Sequence, residues 1–234
     1  MAQLFAGTSG FAYANWKPAF YPAKLPAKSF LQHYATRLNA VEINYTFRRM
    51  PSRSTLEGWV GQTEPGFVFA LKAHQRITHI MRLRNAAEAT TAFLSAIDPL
   101  RVTRRIGPIL FQLPPNLKSD IALLSDFLAI LPDDLHFTFE FRNPSWLVDT
   151  TYELLAGRNI ALCLAESDKL EVPKVITADF VYCRLRKADY PEEARRQIRA
   201  QADELLAQNR DVFVFFKHED TPDGALYAEE LLRR

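Results

Sequence analysis

Cysteine, net charge and long apolar runs are all scarce in this chain, and each scarcity removes a class of protein. Only two cysteines occur in 234 residues, Cys163 and Cys183. Both sit inside apolar runs (ALCLA and FVYCRL), where a free thiol behaves as a small hydrophobe. No CxxC spacing is present, so neither a zinc ribbon nor a redox pair is indicated. The 29 Lys and Arg are nearly balanced by 27 Asp and Glu. That balance argues against binding nucleic acid by bulk charge, although a local basic patch can sit within it. No run approaches ~18 consecutive apolar residues, so no membrane partner is expected. The opening MAQLFAGTSG lacks the charged region and apolar stretch of a secretory signal, and a cytoplasmic location follows as the expectation.

What the chain does have is hydrophobic content, 48% of residues, enough to bury a substantial core. Short apolar runs alternate with helix-like segments from end to end. Strands are predicted at Leu4 to Thr8, Ala40 to Asn44, Phe67 to Lys72, Pro108 to Leu113, His136 to Phe141, Ile160 to Leu164, Phe180 to Leu185 and Val212 to Lys217. Helices are predicted to begin near Ala27, Ser52, Asn85, Ser119, Asp149, Pro191 and Asp223. Only the segment before Phe180, with its Pro173, lacks a helix signal. Alternation of this kind implies parallel pairing with right-handed crossovers. Eight units of roughly 29 residues match the size of a βα repeat. A single-domain (β/α)8 barrel of the TIM type over residues 1–234 is the expected fold, with an open doubly wound sheet as the competitor. GTSG follows the first strand where an open nucleotide-binding sheet would carry a Gly-rich phosphate loop.

The stretch HFTFEFRNPSW, His136 to Trp146, shows where a site should lie. At a period of two, Phe137, Phe139 and Phe141 share one face while Thr138, Glu140 and Arg142 share the other. Burying a carboxylate and a guanidinium is costly unless they pair or meet a ligand. The same pattern recurs late in other strands: Glu42, Asn44 and Thr46 on the second, Lys72 on the third and Gln112 on the fourth. The seventh contributes Tyr182, Arg184 and Arg186, and the eighth runs into Lys217, His218 and Glu219. In a barrel these positions reach the C-terminal mouth, where active sites form. Cations outnumber carboxylates there, so a phosphate- or carboxylate-bearing ligand is expected, matched by Arg forks. The competing reading is an internal salt-bridge lattice in which Glu42 and Glu140 neutralise Lys72 and Arg142.

The segments GTSGFAYANW, FYP, YATRLNAVEINYTFRRMP, FALKAHQRITH, GPILFQLPP, EFRNPSW and ADFVYCRL occur in order from Gly7 to Leu185. Together they resemble the successive motifs of the YecE-like family, the domain of unknown function 72. The resemblance implies a TIM barrel of a kind compared structurally with enzymes that cleave damaged DNA, and it implies no established reaction. It carries over onto Trp16, Tyr21, Glu42, Asn44, Phe47, Lys72, Thr78, His79, Gln112, Glu140, Arg142, Ser145, Trp146 and Arg184. The chain departs from the family's usual RLHG by reading RLRK, with Arg186 and Lys187, and it carries KHED at Lys217 to Asp220.

Two functional classes follow from these residues. In the first, an anionic small molecule or phosphodiester is held by Lys72, Arg142, Arg184 and Arg186 and oriented by Asn44 and Gln112. Trp16, Tyr21 and Trp146 would stack on it, and Glu42 or Glu140 would transfer protons in a hydrolase-like step. In the second, the basic mouth and its aromatics form a non-catalytic nucleic-acid-binding or DNA-repair-accessory module. His74, His79, Glu166, Asp168, His218 and Glu219 are metal-ligand types without ligand spacing, so neither a metal nor any particular cofactor is indicated. Ser9 and Ser145 have no adjacent His and are weak candidates for nucleophiles.

Overall fold

The computed structural model describes residues 1–167, 169–217 and 220–233. Eight strands form one all-parallel sheet: β1 (Leu4–Thr8), β2 (Ala40–Ile43), β3 (Val68–Lys72), β4 (Ile106–Gln112), β5 (Phe137–Glu140), β6 (Ala161–Ala165), β7 (Phe180–Leu185) and β8 (Asp211–Phe216). Their order, β1-β8-β7-β6-β5-β4-β3-β2, brings the first strand back beside the second and makes a TIM barrel. Every predicted strand is present: β1 and β7 have the expected ends, and the others are shifted by at most two residues. Among the described residues between β6 and β7, 166–167 and 169–179, none is helical, as the proline-bearing segment before β7 led one to expect.

Helix signals act where they were read, with one change of residue. The Ser52 hydroxyl accepts from the Thr55 N–H at 3.2 Å and caps α3 (Arg53–Gly61). The helix expected from Ser119 is α6 (Ile121–Ala129), and Asp120, one residue on, caps it through the Leu123 N–H at 3.0 Å. Two acidic residues open α8 (Glu192–Ala207), where the helix dipole favours them.

Two apolar layers result. Between strands and helices, Phe111 meets Phe127 of α6 and Phe139 of β5, with ring centroids 5.2 Å apart in each pair. Inside the barrel lies a separate cluster, with Phe5, Phe180 and Phe213 opposite the small Ala40, Ala70, Ala161 and Cys163. His136 stands exposed at the start of β5, stacked on Phe180 at 4.6 Å.

Closure is made by side chains. Among the described residues, one backbone bridge, Ser9 to Glu42, joins the ends of β1 and β2. Below it the Asn39 side chain accepts from the Ala6 N–H at 2.9 Å and donates to the Leu4 carbonyl at 2.8 Å. The Tyr34 hydroxyl, from α1 (Phe30–Ala35), accepts from the Thr8 N–H at 2.8 Å and donates to the Ala40 carbonyl at 3.0 Å. Gly7 makes this contact possible: a Cβ there would lie 1.9 Å from the Ala40 oxygen. Replacing Tyr34 by Phe preserves the ring but orphans two buried backbone groups, each costing about 1–3 kcal/mol. Urea unfolding of Tyr34→Phe is expected to show a loss of about 2–4 kcal/mol; a variant as stable as the parent would mean that the hydroxyl does not hold the seam.

Candidate functional site

Alternation delivers polar side chains to the C-terminal mouth from five strands, Glu42 coming from β2. Lys72, Gln112 and Glu140 end β3, β4 and β5, and Arg184 lies one residue from the end of β7. Gln112 and Glu140 are register partners, as are Ala165 and Arg184. The small Ala165 and Cys163 on β6 leave Arg184 room to cross the lumen.

Arg184, 3% exposed, is clamped between two carboxylates. Its Nη2 donates to Glu42 Oε1 at 2.7 Å and its Nη1 to Glu140 Oε2. Glu42 also accepts from Ser9 Oγ at 2.7 Å and from the Tyr182 hydroxyl at 2.8 Å. Glu140 accepts from Gln112 Nε2 on both oxygens at 2.9 Å and from Arg142 Nε at 2.9 Å. Arg186 Nη2 approaches Glu140 at 3.6 Å.

Burial alone would raise the pKa of Glu42, but the Arg184 charge and the hydrogen bonds from Arg184, Ser9 and Tyr182 outweigh it and hold it below the ordinary value. Burial likewise opposes ionisation of Glu140, and Arg184, Arg186 and Arg142 overcome it, so this carboxyl is held far down. Both groups are ionised and saturated with donors at neutral pH. Paired in this way, Glu42 and Glu140 are counter-ions to Arg184, an arrangement that favours a structural role over the expected proton transfer.

Lys72 differs. Its ammonium donates to Gln112 Oε1 at 2.8 Å and lies 4.0 Å from the centre of the Phe47 ring. Among the described residues no carboxylate pairs with it. Glu140 takes both amide hydrogen bonds from Gln112 Nε2, which turns the amide oxygen towards Lys72. Burial lowers the Lys72 pKa to about 8, helped by Arg184 and opposed by Glu140 and Glu42. His79, its ring 4.9 Å from that of Phe47, is lowered by burial and then by Lys72, Arg142 and Arg82. Its Nδ1 pairs with Thr78 Oγ1 at 2.9 Å.

The remaining candidates divide. Asn44 heads α2 (Tyr45–Arg48) with Nδ2 3.4 Å from Glu42, at the edge of the network. Thr46 is on that helix rather than on a strand face, and its hydroxyl donates to the Lys72 carbonyl at 2.7 Å. Trp16, Tyr21 and Trp146 are 0% exposed and offer no face to a ligand, which corrects their assignment as stacking residues. Tyr21 stacks on Phe30 at 4.3 Å, and Trp146 stacks on Phe141 while donating to the Leu117 carbonyl at 2.8 Å. Ser145 Oγ donates to Asn143 and accepts from the Ser119 N–H, tying two loops together. Lys217 is exposed outside the network, and Asp168, His218 and Glu219 lie outside the described residues.

Sequence reasoning missed Phe47 as the ring beneath Lys72 and Glu166 as the acceptor that holds the Arg186 N–H at 2.8 Å. Glu166 also meets Lys187 Nζ at 3.5 Å, so the RLRK departure splits: Lys187 turns to Glu166 and Arg186 turns to Glu140. Among the described residues no group of three or more His, Cys, Asp or Glu could hold a metal ion, and no helix is long and apolar enough to cross a membrane. A cavity of about 290 Å³ opens at the opposite end of the barrel beside His136, where Arg158 pairs with Asp133 at 2.7 Å.

Known proteins with this architecture agree on the fold. A DUF72 family protein from Thermotoga maritima MSB8 is 25% identical, with a TM-score of 0.87 over 98% of this chain and 97% of that one. An AP endonuclease of family 2 from Brucella melitensis shares the fold alone, at 10% identity and a TM-score of 0.52 over 94% of this chain and 93% of that one. The UPF0759 protein YunF of Bacillus subtilis (strain 168) is 29% identical over 157 residues, 64% of this chain and 54% of that protein. The alignment thus spans about half of that relative's length. The family model described as "Protein of unknown function DUF72" matches residues 5–234, and with the barrel and its ordered motifs this establishes that the chain belongs to the DUF72 family.

Proposed function

We propose that the C-terminal mouth binds a phosphate- or carboxylate-bearing ligand on Lys72, Arg142 and Arg186, above the buried Arg184 clamp. The observation that carries this reading is the charge imbalance: Lys72, Arg142, Arg184 and Arg186 surround two carboxylates, Arg184 takes the best geometry from both, and Lys72 pairs with neither. Arg142 is 38% exposed and engages only through its Nε. Arg186 has a buried Nε with no hydrogen-bond partner, a donor that an anionic oxygen would satisfy. Planar guanidinium forks suit phosphate and carboxylate, and this floor lies at strand ends where barrel ligands bind. A hydrolytic role needs a proton carrier other than Glu42 and Glu140.

A second reading, a nucleic-acid-binding module, is favoured by one feature. Arg48, Arg49, Arg76 and Arg82 are exposed on the loops after β2 and β3, without an ionic partner among the described residues. Phosphodiester contacts by those arginines would make affinity for single-stranded DNA fall steeply with salt. A compact anion held by Arg142 and Arg186 would be retained across the same salt range.

Isothermal titration with inorganic phosphate tests the first reading. Binding in the millimolar range or tighter is expected, weakened about tenfold or more by Arg142→Ala with Arg186→Ala, since each charge-assisted bond contributes about 1.5–3 kcal/mol. No heat with phosphate or with a small carboxylate would rule it out.

Affinity should also fall as pH rises through about 8, because only protonated Lys72 attracts an anion. Titrations with sulfate, whose charge is the same at pH 7 and pH 9, are expected to differ between the two in the parent and to coincide in Lys72→Met. In the free protein the native Lys72 pKa lies below its unfolded value, so the charged side chain destabilises the fold at pH 7. The native state binds fewer protons between pH 8 and 10.5, so this penalty fades across that window. Lys72→Met is therefore expected to be more stable than the parent by about 1–2 kcal/mol at pH 7, with the gap closing towards pH 10.5. A destabilised variant at pH 7 would contradict the reading of Lys72 as a strained cation.

A further inference from the structure

We infer that Lys72 is a nucleophilic amine that forms an imine with a small anion carrying an aldehyde or ketone beside its carboxylate or phosphate group. The inference rests on the anion-binding reading of the same mouth and adds a covalent step to it. Its basis is the way the amine is held. A lysine kept only to balance charge would be paired with a carboxylate, and the nearest one, Glu140, is interposed by Gln112. The amide oxygen orients the nitrogen at 2.8 Å without supplying the full charge that would lock it as ammonium.

Phe47 covers one side of the nitrogen with an apolar face at 4.0 Å. Arg184 and Arg142 add positive potential from β7 and from the end of β5, Glu140 and Glu42 oppose it, and His79 faces the same space from the loop after β3. Desolvation and neighbouring cations are the two devices that free a lysine amine at neutral pH. With a pKa of about 8, roughly a hundredfold more free amine exists near pH 7.5 than in an ordinary lysine. Arg142 and Arg186 hang on the same Glu140, so an anionic group gripped by them would bring its carbonyl towards Lys72.

The step balances without an oxidant or reductant. The neutral amine of Lys72 attacks the carbonyl carbon, the carbonyl π pair moves to oxygen, and that oxygen takes up the proton the nitrogen releases. The resulting carbinolamine loses its hydroxyl and the remaining N–H proton as one water, leaving C=N. His79, kept neutral by burial and by Lys72, is the neighbouring titratable group able to carry protons between nitrogen and oxygen.

Reductive trapping tests this. The full chain is incubated at pH 7.5 with glyoxylate and cyanoborohydride, and acetaldehyde replaces glyoxylate in a parallel sample. Adduct formation at each lysine is followed by peptide mass spectrometry. Lys72 is expected to be modified about tenfold or more faster than exposed lysines such as Lys24 and Lys118. The preference for glyoxylate over acetaldehyde should disappear in Arg142→Ala with Arg186→Ala. Lys72→Arg, with far-UV circular dichroism to confirm folding, should lose only the fast adduct.

Modification of Lys72 no faster than that of Lys24 and Lys118, or equally fast with acetaldehyde in the parent, would overturn the inference. A phosphate titration on the same preparation separates the two claims. Phosphate binding without fast trapping removes the imine chemistry and leaves the anion site standing. Absence of both removes the two together.

Discussion

The mouth of this barrel is organised around Arg184, held at the centre by Glu42 on one side and Glu140 on the other. Three charges have left water, and each desolvation costs several kcal/mol unless paired and hydrogen-bonded. The clamp answers that cost by saturating the carboxylates: Ser9 and Tyr182 complete Glu42, while Gln112 and Arg142 complete Glu140. The arrangement needs β2, β5 and β7 at one height, which the parallel register and the Ser9–Glu42 bridge at the seam provide. The seam and the site are therefore not independent. The β1–β2 junction that Tyr34 and Asn39 hold closed is the same junction that presents Ser9 to Glu42.

Once Arg184 has taken both carboxylates, every further cation is in surplus. Arg142 and Arg186 share a Glu140 already engaged, and Lys72 receives an amide instead of a charge. A lattice built purely for stability would bring as many acids as bases, because an unmatched buried charge is the expensive case. The salt-bridge-lattice reading thus describes Arg184 and Arg142, which pair with Glu42 and Glu140, and does not extend to Lys72, whose partner is an amide.

How much of this was legible follows from which signals are periodic. Alternation along strands identified Glu42, Lys72, Gln112, Glu140 and Arg184 because inward positions recur every second residue and the strand ends were nearly right. It failed at Thr46, where β2 ends at Ile43 and the chain turns into a helix, so parity no longer assigns a face. Trp16, Tyr21 and Trp146 lie beyond strands, where no period distinguishes a stacking platform from a packed ring, and burial decided against the platform. The seam residues Tyr34 and Asn39 stood in a family-like segment but gave no periodic signal, because their role depends on an approach of β1 to β2 that only the closed barrel creates.

The proton-transfer roles were illegible for a deeper reason. The state of a carboxylate is set by partners far along the chain: Glu42 is governed by Arg184, 142 residues away, and Glu140 by Arg184, 44 residues away. Composition indicates that cations exceed acids at the mouth, but not which acid each cation reaches. Gln112 shows how fine that distinction is. As an acid it would pair with Lys72 and repel Glu140; as an amide it donates to Glu140 and presents its oxygen to Lys72. Against burial, Arg184, Arg186 and Arg142 hold Glu140 ionised, while the neutral amide leaves Lys72 facing an oxygen that carries no full charge.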